Sequence, residues 1–388
     1  MLGDAFHHNL RNDNESLYIY REEQGNEEKL MSKLRDKYDK FYIDFALWFA
    51  ANQHIRDFAK LEKQAKPIED FDKKFSEIVV PYWKQFNVRP RKSWYRVYWD
   101  ANKSESPYFI PNDLWLTKIL PHFNTVLFSK GALQDKCLHN VFLPGIQRPE
   151  TVCKNIAGVF YDDNLTYLNE KEILDRIKEC ENLIIKPSVG TSQGYGISFF
   201  NGSLSSEKEI REILKKYNRN YIIQKVLKQH EKMAMLNKAS VNTVRVISFF
   251  YKGEIYHLSS ILRIGGKTSR IDNVSQGGYQ CTINPNGTLT KMAYAYRDGI
   301  VRMVDKTDDG IVFDGFTIPA YDEIIELIDY YAPKMGHFKV LGWDFAIDEN
   351  GKPVFIEYNT LPGQNQMTCG PTFGVYTDEI LKEVFNKK

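Results

Sequence analysis

The stretch LGWDFAIDENGKPVFIEYNTLPG, residues 341–363, reads as two strands around an Asn350-Gly351 turn, with Asp344, Glu357 and Asn359 set inside otherwise apolar strands. Asn-Gly is the strongest short hairpin signal, because both central residues of a type I′ turn need positive φ. A two-residue loop at this point pairs Glu349 with Lys352 and brings Asp344 opposite Glu357. Alternation puts Asn359 on the face of Glu357. Cross-strand partners have Cβ atoms about 5 Å apart, and like charges there repel. Two carboxylates and an amide on one face therefore point to a missing cation, and an all-oxygen donor set suits Mg²⁺ better than a soft metal. On this reading, removing either acid relieves repulsion and leaves metal-free stability intact.

The rest of the composition is that of an ordinary soluble protein: 388 residues, 43% hydrophobic, 26% charged. A formal net charge of only +2 excludes a global nucleic-acid or anionic-membrane footprint. Cys137, Cys153, Cys180, Cys281 and Cys369 are dispersed with no CxxC pair, which argues against a disulfide framework or zinc knuckle. The opening MLGDAFHHNLRNDNES has no signal-peptide core. FALWFAA, residues 45–51, is too short to span a bilayer. The expected location is the cytoplasm. Oligomeric state is not legible.

Residues 30–80 read as helices, with Leu34, Tyr38, Phe41, Phe45, Trp48 and Phe49 at three- and four-residue steps as a core stripe. RPRKSWYRVYWD, residues 89–100, mixes basic and aromatic residues. It reads as a strand or loop with amphipathic side chains rather than an RNA or sugar site. From about residue 120 the texture becomes α/β. LIIKP (183–187) and ISFF (197–200) read as strands. Ser206 to Glu209 form a capping box opening a helix. YIIQKVL (221–227) is a further strand, TVRVISFFY and EIYHLSSILRI form a hairpin about Lys252-Gly253, and YDEIIELIDYYA (321–332) is an amphipathic helix. A last helix starts near Thr377.

Two further segments carry chemistry. In IIKPSVGTSQGYGI a strand delivers Lys186 to a loop with Gly190, Gly194 and Gly196; glycines let backbone N–H groups approach phosphate oxygens, and the lysine adds charge. GGKTS at 265–269 imitates the end of a phosphate loop, but Ile261 stands where the motif's first glycine belongs, so it is rejected. In YIIQKVLKQHE, Gln224 at a strand end can read an adenine edge, and Glu231 can accept ribose hydroxyls.

The order of these parts, lysine, Gly-rich loop, polar hinge, acid and then Asp–x₁₂–Glu–x–Asn, resembles the ATP-grasp superfamily over roughly residues 125–365. The resemblance implies an α+β ATP-grasp fold whose two subdomains clasp MgATP, with a helical region at residues 1–120, a lid subdomain at 121–225 and a C-terminal subdomain at 226–388. It implies ATP and Mg²⁺ as cofactors. By the resemblance, Lys136 (with Lys130 as competitor) and Lys186 take phosphates. Ser188, Gly190, Thr191, Ser192 and Gly194 belong to the phosphate loop. Gln224, with the backbones of Lys225 and Leu227, is the adenine hinge; Glu231 is the ribose acid; Asp344, Glu357 and Asn359 hold the metal. Gly342 and Trp343 stand where family members carry an arginine, so Arg245, Arg263 and Asn273 are the candidates for the substrate anion.

SPYFIPNDLWLTKILPHFN (106–124), QHEKMAMLNKASVNTVRV and EYNTLPGQNQ are similar to the sugar-transfer-associated ATP-grasp proteins of capsule and O-antigen clusters. That resemblance implies an ATP-dependent carboxylate–amine ligase working through an acyl-phosphate. Its substrates would be a small carboxylate and amine, such as a uronic-acid sugar, sugar nucleotide, glycan or amino acid, in surface polysaccharide synthesis. A kinase of a small hydroxyl substrate and a non-catalytic nucleotide-binding protein are the alternatives. His230 could serve as base for the amine or lie against the ribose, and Gln364 and Gln366 could read acceptor hydroxyls.

Overall fold

The computed structural model describes residues 33–34, 37–125, 127, 130–190, 194–266, 277–297 and 300–385. They fall into two compact units, residues 1–50 and residues 51–388. In the first unit residues 37–50 are helical. The expected core stripe is not buried: Leu34, Tyr38, Phe41, Phe45, Trp48 and Phe49 are each more than half exposed. Helical spacing reports that a face is apolar, not what covers it.

In the second unit, the basic-aromatic stretch is helix α1 (Lys92–Asn102), not a strand or loop. Trp94, Tyr95, Tyr98 and Trp99 are buried at three- and four-residue steps, the period of a helix. Beside α1 pack Phe71 and Phe75.

A small antiparallel sheet follows, made of β1 (Thr151–Ile156), β2 (Val159–Tyr161), β3 (Leu183–Pro187), β4 (Ser198–Phe200) and β5 (Tyr221–Lys225) in the order β2-β1-β5-β3-β4. Helices α2 (Glu170–Lys178) and α3 (Glu207–Tyr217) cover one face. Both start with a reciprocal capping box, Asn169 with Glu172 and Ser206 with Glu209, which satisfies orphan N–H groups at each start. The covered face buries Leu183, Ile185, Tyr221 and Ile223. Alternation sends Ile184, Lys186, Ile222 and Gln224 to the opposite face.

The larger sheet has seven strands: β6 (Thr243–Tyr251), β7 (Glu254–Ile264), β8 (Tyr279–Ile283), β9 (Leu289–Arg297), β10 (Ile300–Val304), β11 (Val340–Ile347) and β12 (Pro353–Asn359). Their order is β10-β9-β8-β7-β6-β11-β12, and every pairing is antiparallel. A short helix α4 (Glu231–Leu236) precedes β6, helix α5 (Tyr321–Tyr331) precedes β11, and α6 (Thr377–Phe385) ends the described chain. Tyr321 of α5 donates to Ser260 Oγ at 2.7 Å, which seats α5 on the face opposite Asp344.

Residues 110–124 grip the chain around the acid hairpin. Asn124 is 1% exposed; its Nδ2 donates to the carbonyls of Val340 (2.8 Å) and Thr360 (2.6 Å), and its Oδ1 accepts from Val340 N (2.9 Å). Gln366 exchanges hydrogen bonds with the Ile110 backbone, and Trp115 Nε1 donates to Pro362 O at 2.8 Å. These contacts fix the start of β11 and the loop after β12 together.

Asn124→Ala leaves three buried backbone groups without partners, and each such group costs about 1–3 kcal/mol. The expected result is a clearly lower thermal midpoint of the full chain. An unchanged midpoint would remove Asn124 from the hairpin's support.

Candidate active site

Asp344 does stand opposite Glu357, and Gly342 opposite Asn359. The route to that register differs from the sequence reading. Asp348 N–H donates to Lys352 O at 2.9 Å, so the loop holds residues 349–351 rather than two residues. Gly351 alone is left-handed, with φ 78°. The turn is set by Asp348, whose Oδ1 accepts from Asn350 N (3.0 Å) and Lys352 N (2.8 Å), an aspartate turn. A second irregularity repairs the offset: the pairing slips between Asp344↔Glu357 and Phe345↔Phe355, leaving Ile356 unpaired as a bulge. Ile356 lines an apolar slot, and the next residue, Glu357, joins the acids.

The two acids are not a bare like-charge pair. Asp344 is 2% exposed and accepts from Arg245 through Nε at 2.6 Å and Nη2 at 2.5 Å, and from Arg263 Nη1 at 3.3 Å. Glu357 Oε2 pairs with Lys136 Nζ at 2.9 Å. Burial works against ionising Glu357, yet Lys136, then Lys186 and Arg245, hold its carboxyl down at about 2. Burial pulls the Lys186 ammonium down to about 8, with Lys136 adding to the effect. Four cations thus surround two carboxylates, an excess of positive charge that suits a polyanion. These pairs weigh against the expectation that losing an acid is harmless, because breaking a buried pair leaves a cation uncompensated.

Lys136 arrives on a short 3-10 turn, Lys136–Leu138, capped by Asp135 and held by Lys136 N donating to Ser188 O at 3.1 Å. Lys130 lies in the helical turn Lys130–Leu133, its side chain outside the described residues. Nearby, His139 is boxed against Phe355 and Tyr358; burial, aided by Lys136, lowers its pKa to about 3, so it is a neutral imidazole. The strand pattern gave no signal for it.

Beside Lys186 is an apolar slot of about 180 Å³, lined by Ile184 and Phe199 of one sheet, Ile197 just before β4, Ile356 of the other sheet, and Gln224, Lys225, Val226 and Leu227. Gln224 is 5% exposed. Its Nε2 donates to Pro149 O at 3.2 Å, and its Oε1 has no partner among the described residues. Asn359 Nδ2 is likewise buried without a partner among the described residues. Lys225 N–H is taken by Glu150 O and its Nζ pairs with Glu150 at 2.6 Å.

Other candidates go elsewhere. Glu231 is an exposed residue in the first turn of α4 and does not line the slot. His230 caps α4 through Nδ1. Gln366, 1% exposed, is spent on Ile110 and Thr372, and Gln364 donates to Thr372 Oγ1. Gly190 and Gly194 have φ 73° and 74°, while Thr191, Ser192 and Asn273 lie outside the described residues. The family's arginine has no room at Gly342: a Cβ there would sit 3.0 Å from Pro362 Cβ. Lys154, fully buried and in the same cross-strand row as Lys186, was not singled out; it is held by Asn140 and Asp163 and so supports the site's floor. Burial pushes the thiols of Cys137, Cys153 and Cys281 up to about 12, which leaves them inert as nucleophiles.

The donor chemistry fits a magnesium nucleotide: two carboxylates and an amide, residue types that bind Mg²⁺ through oxygen, stand beside two lysines and a purine-sized slot lined by Gln224, whose Oε1 has no partner among the described residues. A family model described as sugar-transfer associated ATP-grasp matches residues 132–374, more than half of the chain. No curated protein sequence matches. Among solved structures, the biotin carboxylase domain of 2-oxoglutarate carboxylase from Hydrogenobacter thermophilus, in complex with MgADP, ADP and bicarbonate, is similar at 14% identity and TM-score 0.38, over 66% of this chain and 46% of that one. D-alanyl-alanine synthetase A from Vibrio cholerae aligns at 12% identity and TM-score 0.37, over 73% and 68%. N5-carboxyaminoimidazole synthetase from Staphylococcus aureus, complexed with ADP, aligns at 15% identity and TM-score 0.33, over 64% and 48%. The chain thus spans about half the length of the first of these.

Asp344→Asn should destabilise the metal-free chain, because Arg245 and Arg263 lose their shared carboxylate; breaking a buried pair costs roughly 3–5 kcal/mol. Thermal melts in chelator decide it. A midpoint that holds or rises would restore the picture of simple acid–acid repulsion.

Proposed function

Because the chain belongs to the sugar-transfer-associated ATP-grasp family and has its α+β fold, we propose that it is an ATP-dependent carboxylate–amine ligase, with residues 121–225 and 226–388 as the clasping subdomains. The observation that carries this reading is the convergence of Asp344, Glu357, Lys136 and Lys186 beside the slot that Gln224 lines. Adenine would fill the slot, with its edge read by the free Oε1 of Gln224. Asp344, Glu357 and Asn359 would hold Mg²⁺, which when bound neutralises phosphate oxygens and orients them.

The remaining work falls to the chain's own groups. Lys136 exchanges Glu357 for phosphate, and Lys186 donates from beneath it. The loop of Ser188, Gly190, Thr191, Ser192 and Gly194 closes over the phosphates and keeps out water that would hydrolyse an activated acid. Arg245, with two bonds to Asp344, holds that acid in place. Arg263, at the longer contact, together with Asn273, takes the substrate carboxylate. That carboxylate attacks the terminal phosphorus of ATP, ADP leaves, and an amine then displaces phosphate from the acyl-phosphate to give an amide. Placement and charge account for the catalysis. The substrates we assign are a uronic-acid sugar and an amino acid, in surface polysaccharide synthesis.

Two outcomes follow. Phosphate beside Lys186 should raise its pKa, so above pH ~8, where the free enzyme's lysine is largely neutral, MgATP binding takes up a proton; below that pH it does not. Calorimetry in buffers of different ionisation heat at about pH 9 and pH 6.5 reads this difference. Equal proton uptake at both would take Lys186 off the phosphates. For the reaction, ¹⁸O in the substrate carboxylate should appear in the released phosphate, and ADP release should require carboxylate and amine together. A stable phosphorylated sugar would make the chain a kinase instead.

A further inference from the structure

The acids lie on one face of the seven-stranded sheet, and that face continues well beyond them. Arg263 of β7 pairs with Gln280 of β8, Gln280 with Tyr294 of β9, and Tyr294 with Met303 of β10. Residues paired in one cross-strand row point to the same side. Three strand spacings put Met303 about 14 Å from Arg263. Along β8 and β9, Gln280, Thr282, Met292 and Tyr294 are half-exposed, while Cys281, Ala293 and Ala295 between them are buried. The row is therefore open on the side of the acids.

A roof crosses it. In the loop after Asn359, Asn365 Nδ2 donates to Ser259 Oγ at 2.9 Å, and Cys369 Sγ lies 3.3 Å from Thr282 Oγ1. At the far end the row enters a cleft of about 480 Å³, a size that suits a small-molecule site. Its sheet side is Met292, Val301 and Met303, with Met367 from the roof; its other wall is Leu61, Ala65, Val97 and Ala101 from the helical region. Gln64 Oε1 accepts from Val301 N at 2.9 Å and ties the two walls together. Lys66 and Lys103 stand at the rim against one acid, Asp100, which pairs with Lys103 at 2.6 Å.

Three thioethers make a polarizable, adaptable surface that favours a planar ring. Two rim lysines against one carboxylate favour an anion. Between this cleft and the arginines, Gln280 and Tyr294 offer an amide and a phenol suited to hydroxyls. We infer that the cleft binds the base and phosphates of a nucleoside-diphosphate-linked sugar, whose sugar lies along Gln280 and Tyr294 and presents its carboxylate at Arg263. This rests on the ligase reading for the carboxylate's fate, but not for the binding itself. One wall comes from residues 61–103, outside the matched 132–374, so acceptor choice is set by the chain's own helical region.

The test uses the full chain saturated with magnesium and the non-hydrolysable ATP analogue AMPPNP, so that the purine slot is filled, and titrates uridine diphosphate by calorimetry, then cytidine, guanosine and thymidine diphosphates. At least one should bind. Met303→Glu and Lys66→Glu, both surface changes, should each weaken it ten-fold or more while leaving AMPPNP affinity and the melting midpoint unchanged. No binding by any of the four, or binding indifferent to both variants, overturns the inference. Diphosphate binding without acceptor-dependent ADP release would sink the ligase reading and keep the cleft. ADP release with free uronic acids, equal in wild type and Met303→Glu, would keep the ligase and lose the cleft.

Discussion

Two carboxylates held face to face on a largely buried strand pair are tolerable only if cations meet them, and much of the structure meets that need. Asp344 is almost wholly enclosed, so its charge must be balanced locally. Neighbouring strands supply Arg245 and Arg263; a capped 3-10 turn running past the sheet edge supplies Lys136. Each donor comes from a different piece of chain. Closing the fold and assembling the site are therefore one event: a chain lacking any of these contacts would bury an unpaired charge.

Much of this was legible. The strand and helix runs from Leu183 onward, the capping box at Ser206 and the pairing of Asp344 with Glu357 follow from local periodicity and turn chemistry, and the structure has them all. The hairpin also shows how a right register can come from a wrong turn. Asn350-Gly351 dominates the reading, but Asp348 captures two backbone N–H groups and lengthens the loop, and the bulge at Ile356 restores the pairing. A bulge leaves no local signature in an apolar run. The partners of Arg245 and Arg263 were equally hidden, because strand order decides which acid an arginine meets, and strand order is not written in any one strand. The helix over 92–102 is hidden for another reason: Arg and Lys are interleaved with aromatic residues that keep a 3.6-residue period.

Residues 110–124 support the site through the chain on either side of the acids. Asn124, Trp115 and the backbone at Ile110 hold Val340, Pro362 and Gln366. These positions bracket the acid hairpin on both sides, so its placement depends on residues far upstream in sequence. The same grip explains why Gln366 cannot read a substrate: all its polar groups are already used as structural bonds.

The turn and the bulge in the acid hairpin also carry a rule of parity. Each adds one residue to a strand pair in which every single-residue step exchanges the two faces. Together they leave the faces unchanged; either one alone would turn Glu357 away from Asp344. Relatives and engineered versions can therefore lengthen or shorten this hairpin only in compensating pairs. A solitary insertion in the strands between 345 and 356 would turn Glu357 toward the apolar side and Phe355 away from it, so fold and site would suffer together.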